Sequence, residues 1–137
     1  MNKTAQKWFK QGLHDLENAK KNFKIKAYDV TLFLCEQSIE KVLKGYYYQK
    51  FRKSPPRIHS LEKLAELVNL SKELDEFVIE LDDYYLALRY PDAGERMPYE
   101  LCEREDAKRG LEMAEILIEN LSKKLRRHKE NEEGNKR

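Results

Sequence analysis

Arg89 is the side chain best suited to chemistry on an anion. It closes an apolar-periodic stretch (Leu74, Phe77, Val78, Leu81, Tyr84, Tyr85, Leu88) and is followed at once by Tyr90-Pro91-Asp92. A guanidinium is a planar fork of donors matched to phosphate, and an aromatic ring beside it can stack on a base. Helical spacing sets Asp82, Tyr85 and Arg89 on one edge. The same residues also have a plainer meaning, since an arginine in a last turn complements the helix dipole and Tyr-Pro ends a helix. His59, in Ile58-His59-Ser60-Leu61, is the second candidate; it precedes an expected N-cap and can pack on the Pro55-Pro56 turn. His14 and His128 have no carboxylate or nucleophile partner nearby in sequence. Asp82 and Asp83 are adjacent, about 100° apart on a helix, so they cannot form a dyad. There is no Gly-rich phosphate loop and no nucleophile elbow. Cys102 has no Cys or His at a metal-ligand spacing, so neither a metal nor a cofactor is expected.

A second constellation lies between these. Phe33, Glu36, Glu40, Lys44 and Tyr47 recur along one flank of a helical stripe, with Gln37 and Lys41 beside them. Glu40 precedes Lys44 by one turn, the favourable order for an exposed pair. The flank reads either as a solvated edge or, because aromatics mix with charges, as an interface made by Glu36, Glu40, Lys41, Lys44 and Tyr47. Tyr46-Tyr47-Tyr48 must point three ways, which turns at least one ring away from the core.

The elements that position these residues follow from apolar period and punctuation. A first helix spans about Thr4 to Phe23, with Ala5, Trp8, Phe9, Leu13, Leu16, Ala19 and Phe23 facing inward. A second, Tyr28 to Phe51, carries the unbroken stripe Tyr28, Leu32, Cys35, Ile39, Val42 and Tyr46 and is expected at the centre. Pro55-Pro56 forces an extended connection. Ser60 and Ser71 are expected N-caps, opening a third helix, Leu61 to Val68, and a fourth that Pro91 stops. Tyr90 to about Leu101 is expected as an ordered loop. A fifth helix comes next, with Ala107, Leu111, Ala114, Leu117, Ile118, Leu121 and Leu125 buried. The expectation is an all-α, five-helix, mostly up-and-down bundle: one domain over 1–128 and a charged, disordered tail over 129–137.

Composition agrees with helices. Of the 137 residues, 40% are hydrophobic and 38% charged, with five Gly and four Pro. No apolar run reaches membrane-span length and Met1 to Lys10 has no signal-peptide core, so a cytoplasmic protein is expected, with Cys35 and Cys102 reduced. Net charge is +2, but it is unevenly placed. Residues 1–26 hold seven Lys against two acids, a net of +5; residues 62–105 hold five basic and thirteen acidic groups, a net of −8; residues 122–137 return to +4 with seven basic and three acidic groups. Such blocks mark solvated helix faces, pair with each other inside the fold or across a dimer, or form a basic face toward nucleic acid or nucleotide.

In order along the chain stand Trp8 with Asp15-Leu16, then Glu36-Gln37-Ser38-Ile39-Glu40-Lys41-Val42-Leu43-Lys44, then His59-Ser60-Leu61, then Leu88-Arg89-Tyr90-Pro91-Asp92. Together they resemble the HEPN family (higher eukaryotes and prokaryotes nucleotide-binding domains) over roughly residues 4–125. The resemblance implies a five-helix bundle that forms homodimers. It also implies, as a partner, a minimal nucleotidyltransferase in a toxin–antitoxin-type pair, and a nucleotide or RNA ligand at Arg89, Tyr90, Asp92, Tyr85 and His59. Ribonucleases of the family work without metal and pair an arginine with a histidine four to six residues on. Here the stretch after Arg89 reads Tyr-Pro-Asp-Ala-Gly-Glu-Arg-Met-Pro-Tyr, with no histidine. Tyrosine, whose ordinary pKa is about 10, is a poor substitute for a group that moves protons near neutrality. The expectation is therefore a binding or interaction module. Its alternatives are a ribonuclease with a non-standard site, using Arg89 with His59, and a purely dimerising protein.

Overall fold

The computed structural model describes residues 2–92 and 95–135, with the side chains at 85–87, 89 and 128–135 outside that description. Among the described residues six helices follow one another: α1 Lys3–Lys24, α2 Tyr28–Phe51, α3 Leu61–Leu67, α4 Lys72–Arg89, α5 Pro98–Leu101 and α6 Arg104–Asn135. The fold is all-α, as expected, and the described residues contain no strand. The expected count of five helices is short by α5. That single turn forms because Pro98 sits at a helix start, where its missing N–H costs nothing. The Glu100 carboxylate also accepts from the Met97 N–H at 3.3 Å.

α2 is the central element and touches all five other helices. α1 lies antiparallel along it: Asn2 donates its backbone N–H to Gln49 at one end, and Thr31 Oγ bonds Ala19 O at the other. The two axes are brought close by glycine. A Cβ on Gly12 would meet Val42 Cγ2 at 2.7 Å and Ser38 O at 3.0 Å, and one on Gly45 would meet Phe9 and Trp8 at 2.9 and 3.0 Å. Ser38 Oγ donates to Gly12 O at 2.7 Å, a hydrogen bond that only such close backbones permit. Gly110 gives α6 the same approach to Leu32.

The apolar stripe of α2 is buried through Leu32, Cys35, Ile39, Val42 and Leu43, against Leu64, Val78, Leu81, Met113, Leu117 and Leu121 from α3, α4 and α6. On α1 the expected inward face needs correcting. Leu13 is 46% exposed, while Gly12 and Asp15 take buried positions. The rotation places the smallest residue where α2 comes nearest.

The connections use the expected caps. Ser60 Oγ accepts from the Lys63 N–H at 3.3 Å and Ser71 Oγ from the Leu74 N–H at 3.4 Å. The turns after α1, α2 and α3 each pass through a left-handed residue that is not glycine: Lys26, Arg52 and Asn69. Residues 129–135, expected in a frayed tail, continue α6 as helix to Asn135. Lys and Glu are good helix formers, and the segment has no proline to stop a helix already nucleated by the turns before it. Residues 136 and 137 lie outside the described residues.

Candidate functional site

The flank of α2 is not a solvated rim. Glu36, Glu40, Lys44 and Tyr47 are buried inside the chain, and Lys41 alone of the five keeps partial exposure. The part of α2 that faces α1 and the 52–60 connection therefore holds charges that must be satisfied internally, since an unpaired charge there would be expensive. Glu40 is met from two sides. Lys44 Nζ lies 3.9 Å from Oε2, and His59 Nδ1 lies 2.8 Å from Oε1. The Lys44 ammonium is also 5.6 Å from the centroid of the Trp8 ring. Asp15 forms the neighbouring cluster: Gln11 Nε2 donates to it at 2.9 Å, and Lys41 Nζ reaches its second oxygen.

His59 is thus attached at one ring nitrogen while its side chain remains 57% exposed. A carboxyl group that fixes Nδ1 sets the tautomer and orientation of an imidazole, the arrangement used wherever histidine must present its other nitrogen in a defined direction. The pairing links positions 19 residues apart across the Pro55-Pro56 turn, so no local pattern announces it.

The next residues anchor α3. Ser60 Oγ donates to Asp82 Oδ2 at 3.0 Å, and the Leu61 and Glu62 N–H groups donate to Asp82 at 2.9 and 3.1 Å. A carboxylate from α4 caps the first turn of α3, satisfying donors that every helix start leaves open. Asp82 had a sequence-level role only beside Tyr85 and Arg89 and as half of an excluded dyad. Its place opposite a serine-capped helix start depends on the tertiary fold.

Asp82 also shares α4 with the Arg89 corner. Arg89 lies seven residues further on the same helix, so the two positions share a face in helical register. The side chains of Arg89 and Tyr85 lie outside the described residues. Tyr90 is 51% exposed and Asp92 is exposed, both in the turn that leaves α4. His59, Tyr90 and Asp92 are accordingly open to solvent, whereas Glu36, Glu40, Lys44 and Tyr47 are not.

Groups with displaced acidity lie elsewhere. Burial pushes the Cys35 thiol up to about 12 and Cys102 to about 11. Tyr84 is raised to about 12 by burial and then by Asp106, whose carboxylate accepts its hydroxyl at 3.3 Å. All three are kept protonated and unreactive. Among the described residues, no group of three His, Cys, Asp or Glu side chains is placed to hold a metal ion.

Comparison with known proteins bears on this arrangement. A family model described as HEPN domain matches residues 5–125. Among solved structures, TT1696 from Thermus thermophilus is 29% identical, with a TM-score of 0.80, covering 90% of this chain and 99% of that one. ST0689, an archaeal HEPN homologue, is 30% identical with a TM-score of 0.75, covering 90% of this chain and 98% of that one. Comparison with curated proteins gives no match.

Proposed function

The chain belongs to the HEPN family, and from that premise we propose that it is a nucleotide- or RNA-binding module. In this reading it works in the cytoplasm as a homodimer beside a minimal nucleotidyltransferase, as in a toxin–antitoxin-type pair. The ligand's phosphate meets Arg89, with Tyr90, Asp92, Tyr85 and His59 around it. The observation that supports this most is the Asp82 cap. It ties the Ser60-Leu61 segment, next to the exposed His59, to α4, the helix that leads into the turn carrying Tyr90 and Asp92. Among the described residues no helix is long and apolar enough to cross a membrane.

Calorimetric titration of ATP, GTP and a short RNA tests the reading. Saturable binding by the wild type that weakens at least tenfold in Arg89→Ala supports it. No binding, or equal binding by the variant, removes it.

The Glu40–His59 contact favours a second reading, a metal-independent ribonuclease that uses His59 in place of the missing histidine after Arg89. A carboxyl-oriented imidazole is the usual form of a general base. If this reading holds, a labelled RNA pool is cut by the wild type and spared by both His59→Ala and Arg89→Ala. An intact pool at high protein concentration excludes it.

A further inference from the structure

α1 presents a face that neither reading uses. Lys3, Lys7, Lys10 and His14 succeed one another at spacings of four, three and four residues; Glu17 takes the next place, and Lys21 and Lys24 follow it; all six basic residues are exposed. At 1.5 Å per residue the line runs about 30 Å along the helix. Neither acid of α1 pairs with a lysine of the line. Asp15 is turned inward onto Gln11 and Lys41, and Glu17 is bonded to Lys20 at 3.3 Å. None of the five lysines of the line makes an ion pair with another described residue. Beside it opens a cleft of about 330 Å³ lined by Thr4, Lys7, Trp8, Gln11 and Lys41.

A cationic line next to an indole-walled cleft, with hydroxyl and amide groups at its edge, matches one class of ligand well. Phosphates at regular intervals would meet the lysines, and a flat heteroaromatic ring would enter the cleft against Trp8. An acidic protein would use the charges but not the cleft; a duplex would keep its bases stacked inside. We propose that the α1 face binds single-stranded nucleic acid, with the backbone along Lys3, Lys7 and Lys10 and one base on Trp8. Stacking on an aromatic ring and backbone tracking by cations are the two parts of sequence-tolerant single-strand binding. This site stands apart from the Arg89 corner.

Trp8 is the sole tryptophan of the chain, so its emission reports the cleft directly. Fifteen-nucleotide oligo(dT) and oligo(rU) are titrated separately at several salt concentrations. Saturable quenching by either is expected, and quenching by one alone identifies the preferred sugar. For about four phosphate contacts, the logarithm of affinity should fall with the logarithm of salt with a slope of about −3. In the Lys3→Glu, Lys7→Glu, Lys10→Glu triple variant, whose altered side chains are all in solvent, affinity should fall more than tenfold while the helical circular dichroism is unchanged. With a labelled oligonucleotide read by anisotropy, Trp8→Ala should weaken binding about fivefold or more. Emission that does not change, quenching that survives the triple variant, or equal quenching by poly-glutamate overturns the proposal. Quenching retained in Arg89→Ala upholds it whatever becomes of the α4 corner; quenching lost in that variant would place the ligand at the corner and overturn it.

Discussion

Asp82→Ala is expected to destabilise the protein by about 2 kcal/mol and to loosen α3 first. The magnitude comes from the three bonds of the carboxylate. It accepts from Ser60 Oγ, Leu61 N and Glu62 N at 3.0, 2.9 and 3.1 Å. Of these donors, the Glu62 N–H is exposed and recovers a water on truncation, so its loss costs little. The Leu61 N–H and Ser60 hydroxyl are partly buried and are left poorly served. Loss of a helix cap costs roughly 0.5–2 kcal/mol, and a hydrogen bond to a charged group about 1.5–3 kcal/mol when shielded from water; the partly exposed setting places the sum near the middle. α3 has seven residues and cannot persist alone; otherwise it is held by the burial of Leu61, Leu64 and Ala65. Asp82→Asn keeps one acceptor oxygen and should cost about half as much. Urea unfolding gives the global figure, and native-state hydrogen exchange at the Leu61 to Leu64 amides gives the local one. A variant within about 0.5 kcal/mol of wild type, the range of ordinary surface changes, would refute the reasoning. So would unchanged exchange in α3.

Three other outcomes are expected. Gly12→Ala drives a methyl to 2.7 Å from Val42 Cγ2 and 3.0 Å from Ser38 O; overpacking of that kind costs about 1–3 kcal/mol, read as a lower urea midpoint, and a gain from the better helix former would contradict it. Lys26→Gly relieves a left-handed backbone at φ 66 and should raise the melting temperature by an amount worth up to about 1 kcal/mol, since the relief of about 1–2 kcal/mol exceeds the entropic cost of glycine; an unchanged or lower melting temperature would count against it. The third concerns alkali. Cys35 and Tyr84 are raised to about 12 and Cys102 to about 11 in the folded state. Folding therefore favours their protonated forms, and that stabilisation is whole below pH 9 and is lost as pH climbs through 9 to 12. The urea midpoint should be level from about pH 7 to 8.5 and then fall, less steeply in Cys35→Ala; a level midpoint to about pH 11 would be inconsistent with these shifts.

Much of the fold could be read from the sequence because its signals are local. The stripe from Tyr28 to Tyr46 spans a helix whose limits are Tyr28 and Phe51, Pro55-Pro56 excludes helix where the chain crosses, and Ser60 and Ser71 cap the two helices after it. The failures are pairwise. Reading α1 by apolar period alone put Leu13 inside, because period ranks residues by hydrophobicity, whereas the α1–α2 contact selects by size and favours Gly12. Asp15 is buried because Lys41 and Gln11 come to it, and one helix considered alone contains only half of that information. α5 was hidden in a loop by its brevity, although Pro98 and Glu100 are the residues that start a helix.

The same asymmetry governs the candidate site. Glu40 and Lys44, one turn apart on a helix, read as an exposed pair because most such pairs are exposed. Both are buried here, and a buried pair is a poor source of stability unless further hydrogen bonds complete it. His59 supplies one from outside the helix. Burial therefore converts a surface decoration into a fixed point: the imidazole cannot turn freely while Glu40 holds it, and Glu40 cannot retreat into water. On the other side of the same segment, Ser60 and Leu61 are held by Asp82. The run from His59 to Leu61 is thus restrained from α2 and from α4 at once. A loop that merely joined two helices would not need both restraints. Both together fix the direction of the His59 imidazole, and if the proposed ligand binds at the Arg89 corner, Asp82→Ala should weaken that binding while leaving the Trp8 cleft, built on α1 and Lys41, unaffected.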